Sequence, residues 1–256
     1  MKNVQSNYPG VSCLCITYKR TELLEEAIES FLKQEYLGPK ELIILNDDEE
    51  QTLFFDHPEI KIFNIKERFK SIGEKRNESV KLSSYDLLMP WDDDDIYLPH
   101  KISFGIKKLL EKKLDYYNFN QAFFYCTEEK IIDINSNTYH ANSVYTKNIF
   151  FKTSGYSNLN VGEDIDFEIR LKNISDNFII ENMYTNKNTD KKNTTYIYRW
   201  GGIPAHLSSV KNETALEEIK IQRSQNSLKG NIYLNPNWKE DYISLTNSFL
   251  ENLESI

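Results

Sequence analysis

The chain has 256 residues, enough to bury a full core as one large domain or as a domain with an appendage. Its 39% apolar and 13% aromatic content exclude a disordered chain, and the lack of any run of about 18 apolar residues excludes a membrane-spanning helix. A net charge of -8 weighs against general nucleic-acid binding, which calls for a basic face.

The opening MKNVQSNYPG lacks the apolar core of a secretory signal. Cys13, Cys15 and Cys126 are odd in number, have no zinc-site spacing, and read as buried thiols. These features predict a soluble, cytoplasmic protein that would meet a membrane only at its surface. Residues 11–17 (VSCLCIT) form an apolar, β-branched run that predicts a buried strand. Thr21 is placed as the N-cap of a helix whose Leu24, Ala27, Ile28, Phe31 and Leu32 share one face. Strands are predicted at 41–45 (ELIIL), 60–65 (IKIFNI) and 85–91 (YDLLMPW), with a helix over 71–84. This alternation of apolar strands and helices predicts an open, mainly parallel α/β sheet flanked by helices.

Further along, 100–113 predicts a helix, 116–126 and 130–134 predict strands or a hairpin, and 161–173 predicts a helix carrying Phe167, Ile169 and Leu171. A polar loop at 181–195 precedes a short aromatic strand ending at Trp200, and the tail from about 212 reads as helical. In an open parallel sheet, ligands bind where loops leave the carboxyl ends of strands. Three polar clusters fall at such ends: 17–20 (TYKR), 46–51 (NDDEEQ) and 91–95 (WDDDD). Four adjacent aspartates repel one another and gain nothing from solvent exposure, so a cation site is favoured over simple capping. Taken as extended, the segment points Asp92 and Asp94 to one side and Asp93 and Asp95 away.

Four stretches, taken in order, resemble a GT-A glycosyltransferase of family 2: VSCLCITYKRTELLEEAIESFLKQ, ELIILNDDEEQ, GEKRNESVKLSSYDLLMPWDDDDIYLP and GEDIDFEIRL. The resemblance covers about residues 10–172. It implies a GT-A domain over 1–210, with a nucleotide-binding half over about 10–100 and an acceptor half over about 101–210, while the charged tail at 211–256 reads as a helical appendage. It also implies residue roles. Thr17, Tyr18 and Arg20 would line the nucleotide pocket, Asp47 would hold the base, and Lys75 and Arg76 would contact base or phosphate. Asn46 departs from the family's pattern and leaves the identity of the base open. The Asp-X-Asp pattern places Asp92 at the ribose and Asp94 on a divalent cation, Mn²⁺ or Mg²⁺, bound to the diphosphate.

The same resemblance makes Asp164 the catalytic base and Glu163 an acceptor-orienting group, at a helix start where negative charge is favoured. Arg199 and Trp200 are candidates to close over diphosphate or acceptor, and His206 to complete the metal sphere. The implied activity is inverting, metal-dependent transfer of a sugar from a nucleotide-diphosphate donor to a hydroxyl. The acceptor stays open among glycan, lipid-linked glycan, protein and modified DNA base. A nucleotidyltransferase and a non-catalytic cation- or carbohydrate-binding module are the alternatives.

Overall fold

The computed structural model describes residues 8–126, 132–137, 139–181, 191–200 and 227–254. The first half runs β1 (Val11–Thr17), α1 (Thr21–Leu32), β2 (Lys40–Asn46), β3 (Gln51–Phe54), β4 (Ile60–Asn64), α2 (Ile72–Leu82) and β5 (Leu87–Pro90). After the acidic turn come β6 (Ile96–Tyr97), α3 (Lys101–Glu111), β7 (Tyr116–Phe119), β8 (Ala122–Cys126) and β9 (Ile132–Asn135). The rest comprises β10 (Ser143–Thr146), α4 (Lys147–Lys152), α5 (Glu163–Ile174), β11 (Phe178–Glu181), β12 (Tyr196–Trp200), β13 (Gly230–Tyr233) and α6 (Tyr242–Glu254).

The main sheet has seven strands in the order β11, β7, β10, β5, β1, β2, β4. Strands β5, β1, β2 and β4 are parallel, and β10 runs antiparallel to both β5 and β7. The expected mixed α/β fold with a mainly parallel central sheet is therefore present. Its strands read as unbroken apolar runs because both faces are covered. Cys13, Cys15, Leu42 and Ile44 pack towards α1 and α3, with Leu24, Ile28, Phe31, Ile102 and Ile106. Leu14 and Ile43 point the other way, against Val80 of α2, Ile149 and Phe150 of α4, and Phe167 and Leu171 of α5. All three cysteines are free and buried, as expected. Among the described residues, no helix is long and apolar enough to cross a membrane.

The structure corrects several local expectations. Thr21 is the buried first residue of α1, and the N-cap is Arg20, whose guanidinium has no acceptor for a helix N–H and pairs instead with Asp93 and Asp94. Ile169 is 53% exposed, so only Phe167 and Leu171 anchor α5. Strand β3 was not foreseen. Residues 116–126 divide between two sheets: β7 joins the main one, while β8 lies in a four-stranded sheet ordered β6, β12, β8, β9.

The C-terminal stretch, expected as helical, contributes a strand as well. Strand β13 pairs in parallel with β3, and Tyr242, Leu245 and Phe249 of α6 pack with Phe123, Tyr125 and Ile197. Buried Glu26 of α1 ties these pieces together. It accepts from Arg199 Nη1 at 2.5 Å, the Lys239 N–H at 3.0 Å and the Tyr242 hydroxyl at 2.9 Å. Removing one partner of a buried pair strands the other charge. Glu26→Ala should therefore cost roughly 3–5 kcal/mol in a denaturant titration.

Lys101, the first residue of α3, is another buried charge; its Nζ donates to Asn142 Oδ1 at 3.0 Å. Burial pulls its pKa down from 10.5 to about 7. The unfolded chain then holds an extra proton between about pH 7 and 10, so stability should rise with pH across that window. Lys101→Met should flatten its share of that rise, read as melting temperature against pH.

Candidate active site

Register brings the polar strand ends together. Thr17 at the end of β1 stands beside Asn46 at the end of β2. Strand β5 stops at Pro90 opposite Leu14, so the acidic turn runs under the last residues of β1. Trp91 anchors that turn: it is fully buried, its Nε1 donates to the Ala27 carbonyl at 2.9 Å, and it stacks on Tyr97 at 3.9 Å.

Residues 92–95 form a tight turn rather than an extended segment, so simple alternation does not hold. Each carboxylate instead has its own neighbour. Asp92 accepts from Arg76 Nη2 at 3.1 Å. Asp93 and Asp94 share Arg20, at 2.5 Å each. Asp95 accepts from the Tyr196 hydroxyl and from the Arg199 N–H at 3.1 Å. Asp92 is the most open of the first three, its side chain 22% exposed against 1% for Asp93 and 5% for Asp94. Burial pushes the Asp93 pKa up to about 6, with Arg20 pulling the other way. Contrary to expectation, Asp93 faces the same arginine as Asp94. Asp95 is turned inward as expected and fastens β12.

A second cluster surrounds Asp47. Its carboxylate accepts from Lys75 Nζ, Arg68 Nη1 at 2.8 Å and the Phe69 N–H at 3.1 Å. Lys75 also donates to the Thr17 carbonyl at 2.6 Å. Burial lowers the Lys75 pKa to about 8, with Asp47 opposing the shift. The Arg68 guanidinium lies 3.3 Å from the centre of the Tyr18 ring. Thr17, Tyr18, Asp47 and Lys75 thus form one cluster, joined by Arg68, which the sequence reading missed. Its only signal was the basic run KERFK after β4. Asn46 points elsewhere: its amide donates to Asn64 Oδ1 at 3.1 Å, and Asn64 bonds the Leu53 N–H and C=O at 2.9 and 3.0 Å. The departure at Asn46 therefore holds β3 to the sheet.

The Lys75-Arg76-Asn77 run presents successive residues in three directions, as helical geometry requires. Lys75 turns to Asp47, Arg76 to the acidic turn, and Asn77 exchanges two 2.8 Å bonds with the Tyr156 backbone. Gly73 lets the start of α2 press against the loop before α5; a Cβ there would fall 1.8 Å from the Ser157 carbonyl oxygen. Arg76 also reaches across to Glu163 Oε1 at 3.0 Å through Nε. One guanidinium therefore joins the end of β5 to the first turn of α5. Gly162, at φ +77°, is the N-cap there, and Asp164 sits in the first turn, partly exposed, with Oδ1 accepting the Ile165 N–H at 2.8 Å. Asp166, expected to be solvated, is held by Ser157 and Arg170.

Arg199 does not face the cleft. It is 3% exposed, with Nε donating to the Asp94 carbonyl at 2.7 Å and Nη1 to Glu26. Trp200 is 38% exposed and lies against Phe124 at 5.2 Å. His206 lies outside the described residues. Among the described residues, no three or more His, Cys, Asp or Glu side chains cluster as a metal cage. Asp94, whose Oδ2 already pairs with Arg20, offers the hard oxygen donor that would suit a divalent cation taking its remaining ligands from water and substrate phosphates.

The bridge through Arg76 is open to measurement. A double-mutant cycle on Arg76→Ala and Glu163→Ala should give a coupling of roughly 1–3 kcal/mol in unfolding free energy. Additive single effects would remove the bridge as a structural link.

The family model for glycosyl transferase family 2 matches residues 12–162, more than half of the chain. The curated relative YwdF of Bacillus subtilis (strain 168), named an uncharacterized glycosyltransferase, is 32% identical over 103 residues. That match spans 39% of this chain and 38% of the relative. Among solved structures, S. aureus TarS 1-349 in complex with UDP-GlcNAc superposes with a TM-score of 0.58 at 14% identity, over 94% of this chain and 71% of that one. The mannosyltransferase PcManGT from Pyrobaculum calidifontis, in complex with GDP-Man and Mn²⁺, gives 0.51 at 13% identity, over 70% and 56%. At such identities the structural likeness speaks for the fold alone, whereas the family match carries the assignment. The chain belongs to glycosyl transferase family 2.

Proposed function

We propose that the protein is an inverting glycosyltransferase that moves a sugar from a nucleotide-diphosphate donor to an acceptor hydroxyl with the aid of a divalent cation. The observation that carries this reading is the Arg76 bridge, which sets the first turn of α5 across from the acidic turn after β5. The donor lies between them, with its nucleotide towards Tyr18, Arg68, Asp47 and Lys75. Residues of about 10–100 serve the nucleotide, and those of about 101–210 face the acceptor. TarS has been solved with UDP and UDP-GlcNAc, and PcManGT with GDP-Man and Mn²⁺, which supports a nucleotide sugar and a cation here.

In the reaction, the acceptor oxygen attacks the anomeric carbon while the bond from that carbon to the diphosphate oxygen breaks. Asp164 takes the acceptor's proton, and the nucleoside diphosphate leaves on the opposite face. Glu163, fixed by Arg76, orients the acceptor, and Asp92 meets the ribose. Asp94 would hold a divalent cation, which when bound would supply charge neutralisation to the departing diphosphate. Arg199 acts from behind, holding the backbone of Asp94 in place. Trp200 remains a rim candidate for acceptor contact, and the proposal for His206 as a further ligand rests on the sequence alone.

Release of UDP or GDP from the corresponding sugar nucleotides, with water as acceptor, tests this reading. Asp164→Asn should lower kcat by roughly 10²–10⁴-fold while leaving donor KM within a few-fold. Full turnover in that variant would overturn the assignment of the base.

A further inference from the structure

The ribbon of β3 and β13 stands outside the main sheet, and its two faces differ. Leu53 and Ile232 point inward and are 2% and 8% exposed. Their neighbours Phe54 and Tyr233, directly opposed in register, point outward and stack at 5.2 Å with an interplanar angle of 22°. Phe54 is 39% and Tyr233 76% exposed. The inner residues belong to the core, whereas the outer pair lies outside it and only staples the two strands together. With Phe55, Asp56 and Leu234 these rings line an open cleft of about 420 Å³, a size typical of small-ligand sites.

We propose that this cleft is a carbohydrate-binding platform, separate from the candidate active site, that takes one sugar unit of a glycan chain. A pyranose ring offers an apolar C–H face bordered by hydroxyls. Its C–H face suits the outward face of the Tyr233 ring, whose other face is stacked on and supported by Phe54. The exposed Asp56 carboxylate, an acceptor on both oxygens, takes the hydroxyls. A second copy of the chain fits less well, because two rings cover far less than the roughly 800 Å² per partner that a stable interface buries. An anionic membrane is disfavoured by Asp56 and by the net charge of -8. Phe54 lies three residues along β3 from Gln51, roughly 10 Å from the end of the loop carrying Asp47 and Asp48. A glycan held there stays beside the cleft without entering it. The platform does not depend on the transferase reading.

The test is an NMR or calorimetric titration of the full chain with soluble tetrasaccharides of β-1,4-N-acetylglucosamine, β-1,4-glucose and α-1,4-glucose, with UDP in a parallel arm. At least one tetrasaccharide should bind, and Tyr233→Ala and Phe54→Ala should each weaken it roughly tenfold. UDP affinity and donor hydrolysis should be unchanged in Tyr233→Ala. The proposal is overturned if no tetrasaccharide binds, if both variants bind as the parent does, or if UDP competes for the site. It is equally overturned if ultracentrifugation shows a dimer that Tyr233→Ala dissolves. Saccharide binding without donor hydrolysis would leave the platform standing while the transferase reading fell.

Discussion

Four consecutive carboxylates set the terms for this structure. At about 5 Å and an effective dielectric near 20, each adjacent pair of charges costs about 3 kcal/mol, more than a loop of this size can absorb unaided. Two arginines meet that repulsion at the carboxylates, and a third, neutralised by Glu26, braces the turn through its backbone. Arg20 at the head of α1 takes Asp93 and Asp94, Arg76 of α2 takes Asp92, and Arg199 of β12 binds Asp95 and Asp94 through its backbone and Nε. The acidic turn therefore gathers the fold around itself, and its carboxylates differ in partner and in exposure.

That division of labour reaches the far parts of the chain. Arg199 can be buried only because Glu26 neutralises it, and Glu26 in turn draws in the Lys239 N–H and the Tyr242 hydroxyl. The C-terminal helix is thus linked to the acidic turn through two buried side chains. On the open side, Arg76 carries the constraint from Asp92 to Glu163 and so to the helix start that presents Asp164. The inner arginine supports the turn's backbone, and the outer one spans the space where a donor would lie.

Much of this was legible in the residues. Strands buried on both faces must be apolar throughout, so β1, β2 and β5 stood out, and their parallel order placed Thr17, Asp47 and the aspartates on one edge. Lys75 and Arg76 followed from the family resemblance of the stretch GEKRNESVKLSSYDLLMPWDDDDIYLP, not from any periodicity. What escaped was set by partners remote in the chain. Strand β3 is four residues long and pairs with a strand 179 residues later. Arg199 read as a ligand group because its partner lies 173 positions away. Arg68 carried no periodic signal, since its role comes from a loop folding back over Tyr18. The turn geometry at 92–95 depends on Trp91 and Tyr97 stacking, which alternation rules do not encode.

The central claim is that the acidic turn holds a nucleotide diphosphate through a shared cation. Calorimetric titration of the protein with UDP and with GDP, in the presence of Mn²⁺ and again with chelator, addresses it most directly. The account predicts binding of one nucleotide that requires the metal and is lost in Asp94→Asn. Binding of equal strength with chelator present, or no binding of either nucleotide, would contradict it.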